Sequence, residues 1–225
     1  MESNYLHQTV LINGKSIIIT NKPWYDLPVD GLVLSANNRL DLRGASGLAG
    51  WLGNACPEMH DNIQLKLMNL EPIKGRGLTY GNGLTVGDGP DGKSVIHAVT
   101  VDYDHYAVSN KYASIASVAA ATEFAILEAR KHNFRSIGFA LMCRRGHASE
   151  FLPENMARNQ LPLVQLQTIF GMLAASDNKH PEKVYLTTYN FKIKELELED
   201  NDLLKSELSR LVKLYGSCCD KQHFE

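Results

Sequence analysis

The chain has 225 residues, a length that suits one α/β domain and is short for two. Hydrophobic residues make up 44% of it and charged residues 21%, which excludes disordered, collagen-like and coiled-coil chains. The 23 Lys and Arg residues against 25 Asp and Glu residues give a formal net charge of −2, so we do not expect general nucleic-acid binding. An anionic ligand is therefore expected to bind at a local site.

Membrane and metal association are not expected from the sequence. No apolar stretch approaches the roughly 20 residues that span a bilayer, and the N-terminus lacks a basic segment followed by an apolar core. We therefore predict a cytoplasmic protein without membrane contact. The four cysteines form no C-x-x-C pair, so we predict reduced thiols, no metal and no other cofactor. The adjacent Cys218 and Cys219 receive no role.

The first predicted elements are strands. Residues 10–12 and 16–20 flank Asn13-Gly14, the strongest two-residue signal for a hairpin turn. The apolar run over residues 29–36 predicts a strand buried on both faces. A glycine-rich loop follows this strand, and residues 48–55 begin a helix. Residues 57–92 are rich in glycine and proline and predict short strands and turns.

The second half of the chain alternates strands with helices. We predict strands over residues 94–101, 135–142 and 183–188, and helices over residues 110–132, 154–175 and 194–213. This alternation predicts an α/β fold with a largely parallel sheet and an antiparallel hairpin at one edge. We expect one domain over residues 1–215 and a frayed tail over 216–225. The last helix is amphipathic and is expected to pack on the sheet, with partner binding as the alternative.

Two strand-to-helix loops carry the predicted chemistry. Residues 37–47 follow a buried strand and open a helix, so free backbone N–H groups and the helix dipole predict a phosphate or diphosphate site. Gly44 and Gly47 would allow close approach of such a ligand. The spacing matches neither a P-loop nor the G-x-G-x-x-G pattern. The second loop, residues 143–148, also follows a strand, so we expect both loops at the same edge of the sheet.

The segments around the first loop resemble the macrodomain family. V-D-G-L-V-L-S-A-N-N at residues 29–38, followed by G-A-S-G-L-A-G at 44–50, is similar to that family's D-A-I-V-N-A-A-N motif and glycine-rich loop. V-I-H-A-V at 95–99 is similar to a further strand of the family. The resemblance covers about residues 10–191. It implies a three-layer α/β/α fold with a central mixed, largely parallel sheet and a cleft for ADP-ribose, and some members hydrolyse ADP-ribosyl bonds.

The resemblance also implies roles for individual residues. Asn37 matches the last Asn of the N-A-A-N motif, which contacts the distal ribose, and Asn38 is able to exchange roles with it, whereas Leu34 replaces the first Asn. The diphosphate and distal ribose would be lined by Gly44, Ala45, Ser46, Gly47 and Leu48. The second loop departs from the family's S-T-G-x-[FY]-G type and contains Arg144, Arg145, Gly146, His147 and Ala148. Its two guanidinium groups are suited to bidentate contacts with phosphate oxygens.

The base end of the implied site differs from the family. Asn190 and Phe191 match the place where the family stacks an aromatic ring on adenine. The family's adenine-reading Asp falls near Pro23, so its hydrogen bond is absent and Trp24 is the predicted stacking residue instead. The ligand is accordingly expected to be ADP-ribose or a related nucleotide with another base or further phosphate.

Three functions stay open on the sequence. The first is an ADP-ribosyl hydrolase acting on an ADP-ribosylated protein or an ADP-ribose ester, with Asn37, Asp41 and His147 as candidate catalytic residues. The second is a binding module that recognises ADP-ribose or a related nucleotide without turnover. The third is an α/β scaffold whose last helix binds a partner.

Three further features have structural interpretations. His97 lies in an apolar strand and is predicted to be a hydrogen-bonded core residue. Trp51 sits among small residues and is also predicted to be core. The D-Y-D-H cluster at residues 102–105 is expected to be a solvated turn, with metal binding as the alternative.

Overall fold

The computed structural model describes residues 7–43, 45, 47–70, 78–101, 113–143, 154–177, 179–189 and 194–215. These ranges contain strands and helices in the predicted order. The strands are β1 His7–Ile12, β2 Lys15–Thr20, β3 Gly31–Asn37, β4 Gly83–Val86, β5 Ser94–Val101, β6 Ser136–Ala140 and β7 Lys183–Thr187. The α-helices are α1 Gly47–Ala55, α2 Pro57–Met68, α3 Ile115–Lys131, α4 Glu154–Ala174 and α5 Lys194–Leu214.

The strands form one mixed, largely parallel sheet. Its order is β1-β2-β7-β6-β3-β5-β4. Strands β2, β7, β6, β3 and β5 pair in parallel, whereas β1 and β4 pair antiparallel at the two edges. The predicted α/β/α fold class and the position of the hairpin at one edge are therefore confirmed.

The hairpin turn has the geometry that its sequence predicts. Asn13 and Gly14 have φ angles of 49° and 72°, the left-handed conformations that a two-residue type I′ turn requires. The side chain of Asn13 donates to the carbonyl oxygen of Ala174, and Lys15 Nζ donates to the carbonyl oxygens of Leu173 and Ser176. These bonds satisfy carbonyl groups at the end of α4, so the turn caps that helix.

Helices cover both faces of the sheet, and the alternation of side chains along each strand supplies both cores. In β3, Val33 packs on the face covered by α3, α4 and α5, whereas Leu32 and Leu34 pack on the face covered by α1 and α2. In β5, Ile96 and Val95 face opposite sides in the same way. The two clusters together make the three-layer arrangement.

Residues 57–92 contain a helix that the sequence analysis did not predict. Instead of short strands and turns from Pro57 onward, α2 runs from Pro57 to Met68, and only then comes the short strand β4. Proline is favourable at this first helical position because its missing N–H is not needed there. Met59 and Ile63 lie one turn apart on the buried face of α2, which fixes the helix against the sheet.

The C-terminal amphipathic helix packs as predicted. Leu204 and Leu208 of α5 have no exposed surface and belong to the same buried cluster as α3 and α4. Residues 216–225, which include Cys218 and Cys219, lie outside the described residues. Over the part of the chain that the structure describes, we find no helix long and apolar enough to cross a membrane.

Candidate functional site

The two predicted loops leave neighbouring strands. β3 and β6 pair in parallel, with Val33 beside Phe139, so the loops that follow them begin at the same edge of the sheet. The chain continues from β3 toward β4, beyond β5, on one side and from β6 toward β7 on the other. The two connections thus diverge between β3 and β6, and such a switch point is where open α/β sheets form ligand crevices.

The first loop is anchored by alternating side chains. Leu40 and Leu42 are 1% and 3% exposed and belong to the cluster beneath α1 and α2, whereas Arg39, Asp41 and Arg43 are exposed. This pattern holds the backbone of the loop against the core and leaves its polar side chains in solvent.

Helix α2 holds the same loop from the side. The side-chain amide of Gln64 donates to the carbonyl oxygen of Arg39 at 3.1 Å, and Nδ1 of His60 accepts from the amide N–H of Leu42 at 3.4 Å. The guanidinium of Arg43 pairs with the carboxylate of Asp61. Helix α2, which was not predicted from the sequence, therefore positions the predicted first loop.

Asn37 stands at the end of β3, and its side chain shapes the loop. Its Oδ1 accepts hydrogen bonds from the amide N–H groups of Arg39, at 2.9 Å, and of Asp41, at 3.3 Å. Its Nδ2 donates to none of the described residues and is available to a ligand acceptor. The Asp41 side chain is exposed, consistent with a group in contact with water.

Asn38 does not share the position of Asn37. Its side chain has no exposed surface, its N–H donates to the carbonyl oxygen of Val101 at 2.8 Å, and its carbonyl accepts from the N–H of Leu78 at 2.7 Å. A side chain without exposed surface cannot contact a ligand in this conformation. Asn38 is therefore a structural residue of the loop, and the predicted exchange of roles with Asn37 does not fit its burial.

Helix α1 packs directly on the first loop through two glycines. A Cβ atom at Gly50 would lie 2.1 Å from the carbonyl oxygen of Ala45, and one at Gly53 would lie 3.0 Å from that of Leu42. The contact at Gly50 requires the missing side chain, and a Cβ at Gly53 would require the Leu42 carbonyl to shift by a few tenths of an ångström. The two contacts fix the helix N-terminus beside Ala45, with Gly47 exposed and Leu48 half-buried, whereas Gly44 and Ser46 lie outside the described residues.

The N-terminus of α1 is suited to an anion. The helix has nine residues and no acidic side chain in its first turn. Its first N–H groups lack partners within the helix, and the helix dipole adds partial positive charge there. This is the end of the site where the sequence analysis places a diphosphate.

The start of the second loop is fixed by Gln165 of α4. This side chain has no exposed surface, its Oε1 accepts from the N–H of Met142 at 3.0 Å, and its Nε2 donates to the carbonyl oxygen of Ala140 at 3.1 Å. Sequence analysis did not identify Gln165, because a glutamine within a helix gives no signal of a distant partner. The predicted ligand residues Arg144, Arg145, Gly146, His147 and Ala148 lie outside the described residues.

Cys143 lies beneath the edge where the two loops begin. Its thiol contacts Oγ1 of Thr100 at 3.1 Å and is hydrogen-bonded to Ser35. Burial raises the pKa of this thiol to about 11, and the two hydrogen bonds offset only part of that rise. The thiol therefore stays protonated at neutral pH, which excludes a role as a ready nucleophile.

Trp24 belongs to the core and is not the predicted stacking residue. It is 2% exposed, and its indole N–H is shared between the carbonyl oxygens of Val33, at 2.9 Å, and Gly138, at 3.2 Å. The sequence around Trp24 gives no signal for these partners, which lie on β3, nine residues away, and on β6, 114 residues away. Its ring has no free face for a ligand, so the prediction for Trp24 is wrong in this conformation.

Three other aromatic residues meet near the carboxyl edge of β2 and β7. The rings of Tyr25 and Trp51 are stacked with centroids 4.5 Å apart and planes 20° from parallel, and Tyr189 meets Tyr25 edge-on at 6.4 Å. All three are half-buried. Trp51 was predicted to be core, and it is half-buried and packed against the core cluster under α1 and α2. Tyr189 was not identified from the sequence, although its position directly after a strand was an available signal. Asn190 and Phe191 lie outside the described residues.

His97 lies in the core, as predicted, but its hydrogen bonding differs from the prediction. Its side chain has no exposed surface, and neither ring nitrogen has a hydrogen-bond partner among the described residues. Burial lowers the pKa of His97 to about 3, so its imidazole is neutral at physiological pH. The prediction of a core location is confirmed, whereas the described part of the chain contains no partner for the predicted hydrogen bond. The D-Y-D-H segment at residues 102–105 lies outside the described residues.

An open pocket of about 530 Å³ lies between the first loop and the turn that joins α1 to α2. Ala45 and Arg43 line its loop side, and Asn54, His60 and Asp61 line its helix side. Ala45 therefore borders this pocket as well as the N-terminus of α1.

Comparison with known proteins finds likeness in structure and not in sequence. No protein-family model matches the chain, and no curated protein matches it. The Oceanobacillus iheyensis macrodomain with ADP matches with a TM-score of 0.71 and 16% identity, over 94% of this chain and 99% of that one. A mutant of that macrodomain with ADPR gives 0.69 and 19%, over 92% and 100%.

A third match comes from another organism. The macrodomain of Thermus aquaticus DarG gives a TM-score of 0.53 and 16% identity, over 76% of this chain and 97% of that chain. The chain therefore has the macrodomain fold, as the resemblance in its motifs implied.

Proposed function

We propose that this chain binds ADP-ribose, or a related nucleotide diphosphate, at the carboxyl edge of β3 and β6. The macrodomain fold supports the proposal, because similar structures hold ADP and ADPR. The switch point between the two strands supplies the crevice. The ligand would extend from Asn37 at its ribose end past the N-terminus of α1, where the diphosphate would lie.

The observation that carries the proposal is the state of the Asn37 amide. Its Oδ1 is occupied by two backbone N–H groups, which fixes the orientation of the side chain. Its Nδ2 is left as a donor with a fixed direction, and a ribose hydroxyl oxygen is a suitable acceptor. A donor whose rotamer is already set loses little conformational freedom when it binds, so the interaction is preorganised.

Binding without obligatory turnover is the function that the described residues favour. Hydrolysis of an ADP-ribosyl bond requires a group that orients or deprotonates water. Asp41 is the candidate among the described residues, and it is exposed at the loop surface with its N–H bound to Asn37. The Cys143 thiol is held in its protonated form. An ADP-ribosylated protein would then be a partner that the site recognises through its nucleotide.

The binding test is calorimetry with ADP-ribose on wild type, Asn37→Asp and Asn37→Ala. Asn37→Asp keeps the acceptor that holds the loop and removes the Nδ2 donor, so we expect binding at least about tenfold weaker with thermal stability unchanged. Asn37→Ala removes both functions and should also lower the unfolding temperature. Asn69→Ala, at the far end of α2, is the matched control and should bind as wild type does. Equal affinity in all four proteins would contradict the proposed role of Asn37.

Turnover is tested separately with an ADP-ribosylated protein and an ADP-ribose ester as substrates. Released ADP-ribose is measured for wild type and for Asp41→Asn, which keeps the size of the side chain and removes its basicity. Binding without release establishes the module that recognises its ligand without turnover. Release that Asp41→Asn slows by about 100-fold or more would instead establish hydrolysis with Asp41 as its base.

A further inference from the structure

The open pocket beside the first loop has no part in the proposed nucleotide binding. Its volume of about 530 Å³ lies within the roughly 300–1,000 Å³ that is typical of ligand sites. Leu42 and Ala45 border it from the loop, and the end of α1 and the start of α2 border it from the other side. We refer to this feature as the loop pocket.

His60 places a hydrogen-bond donor at the wall of the loop pocket. It is 8% exposed, and its Nδ1 accepts from the N–H of Leu42. An imidazole whose Nδ1 accepts a hydrogen bond carries its proton on Nε2. This Nε2–H has no partner among the described residues, and a buried donor is costly unless water or a ligand accepts from it. The Nε2–H is therefore available to a ligand in the loop pocket.

The junction of α1 and α2 supplies an acceptor at the same pocket. Within a helix the carbonyl oxygen of Gly53 would accept from the N–H of residue 57, but Pro57 has no N–H. No other backbone N–H of the described residues takes its place. Both residues line the loop pocket, so a donor and an acceptor border one cavity. A peptide backbone carries the complementary pair of groups at each residue other than proline.

The charges around the loop pocket indicate the charge of its ligand. Glu58 and Asp61 line the pocket together with one cation, Arg43, which already pairs with Asp61. Glu58 is exposed and forms no ion pair with the described residues. Two carboxylates against one guanidinium disfavour a phosphate or another anion and favour a ligand with a basic group.

The loop pocket lies close to the ribose end of the proposed nucleotide site. Oδ1 of Asn37 accepts from the N–H of Asp41, and the next residue, Leu42, already lines the pocket. Consecutive Cα atoms are about 3.8 Å apart, so this step along the loop is short. A polypeptide attached to a ribose at Asn37 would therefore meet the loop pocket within a few residues of its attachment.

We propose that the loop pocket binds the polypeptide that carries the ADP-ribosyl group, through a segment with a lysine or arginine near the modified residue. This inference rests on the proposed nucleotide binding and extends that site to a protein partner. The Nε2–H of His60 donates to a carbonyl oxygen of the segment, and the carbonyl oxygen of Gly53 accepts from one of its N–H groups. The basic side chain of the segment lies beside Glu58.

Calorimetry on the full chain compares three ligands. They are ADP-ribose, a short peptide in which a residue flanked by lysines carries ADP-ribose through a non-hydrolysable bond, and the same modified peptide with glutamates in place of the lysines. We expect the lysine peptide to bind about tenfold more tightly than ADP-ribose, because it adds hydrogen bonds and a charge contact. The glutamate peptide should bind no more tightly than ADP-ribose. Equal affinities of the two peptides would overturn the inference.

Two exposed positions supply variants that test the pocket itself. Glu58→Lys reverses the charge at the pocket, and Asn54→Trp narrows it. Each should abolish the roughly tenfold gain of the lysine peptide and keep the affinity for ADP-ribose within about twofold of wild type at about 0.15 M salt. Glu123→Lys makes the same charge change at an exposed position of α3, on the other face of the sheet, and is the matched control. Thermal unfolding confirms that each variant is folded.

The outcomes separate the two proposals. If wild type binds neither ADP-ribose nor the modified peptides, the proposed function fails and the inference fails with it. If wild type binds ADP-ribose but gains nothing from the lysine peptide, or if the gain survives in both Glu58→Lys and Asn54→Trp, the inference alone is overturned. A gain that both variants lose and that Glu123→Lys keeps supports binding of the polypeptide in the loop pocket.

Discussion

The two faces of the sheet differ in what covers them. The face under α3, α4 and α5 is a large apolar cluster in which Ile126, Leu166 and Leu208 have no exposed surface. The face under α1 and α2 is a smaller apolar cluster, and buried polar side chains occur on both faces, such as His60 on α2 and Thr122 on α3. The helices of this second face also hold the first loop.

This difference indicates that the two faces contribute differently to stability and to the site. Long helices on the first face contribute apolar burial, the main favourable term in folding. The short helices on the second face hold a loop by hydrogen bonds and close glycine contacts. Substitutions of apolar side chains on the first face should therefore change stability without changing ligand affinity, and substitutions at the loops or at the side chains that hold them should change both.

The largest expected effect is on the first face. Ile126→Ala in α3 should lower the free energy of unfolding by about 2–5 kcal/mol, because it removes a fully buried side chain and leaves a cavity. The matched control is Leu127→Ala, next along the same helix and 46% exposed, for which we expect about 0.5 kcal/mol or less. Urea unfolding measures both. Similar losses in the two variants would contradict the packing of α3.

The second prediction concerns the loss of stability at acid pH that buried His97 causes. His97 has a pKa of about 3 when folded, below the ordinary value of 6.5 expected when unfolded. As pH falls below 6.5 the unfolded chain takes up a proton that the folded chain does not, so stability falls by about 1.4 kcal/mol per pH unit until the folded pKa is reached. Above pH 6.5 the contribution is constant.

His97→Leu is the variant that isolates this contribution. It replaces an imidazole that has no hydrogen-bond partner in the described ranges by an apolar side chain of similar size, so it should unfold at a higher denaturant concentration than wild type. The difference between the two proteins should grow by about 2 kcal/mol between pH 6.5 and pH 5. A difference that does not change with pH would show that His97 acquires a proton or a partner in the folded state.

The third prediction concerns Gln165 of α4, which fixes the start of the second loop. Gln165→Met keeps the length of the side chain and removes its bonds to Met142 and Ala140. We expect a loss of about 1–3 kcal/mol in unfolding free energy, since two buried backbone groups lose their partner. ADP-ribose affinity should also fall. An affinity equal to that of wild type in a destabilised variant would separate the second loop from the site.

The sequence predicted the strands and the long helices because their periodicity is local. Residues 94–101 and β5 coincide, and the turn at Asn13-Gly14 follows from the φ angles that these residues favour. α2 was missed because glycine and proline dominate the wider segment, although Met59, Ile63 and Leu67 recur at helical spacing and were the available signal.

The site was less predictable because its contacts join distant residues. Asn37 and the first loop were identified from the buried strand that precedes them, from the glycines of the loop and from the similarity to the macrodomain motif. Gln165 bonds to backbone groups 23 and 25 residues away, and the indole N–H of Trp24 bonds to a carbonyl 114 residues away. Such partners leave no mark on local periodicity, so the core role of Trp24 and the positioning role of Gln165 required the fold.

The smallest expected effect is at the surface of the first loop. Arg43 and Asp61 form an ion pair in which both side chains are 67% exposed. Water screens such a pair, and holding two long side chains in one geometry costs conformational entropy, so a double-mutant cycle with Arg43→Ala and Asp61→Ala should give about 0.5 kcal/mol or less. The coupling should fall further at 0.5 M salt. A coupling above about 1 kcal/mol would mean that α2 holds the loop mainly by charge, and that the buried Leu40 and Leu42 contribute less to its anchoring than their burial indicates.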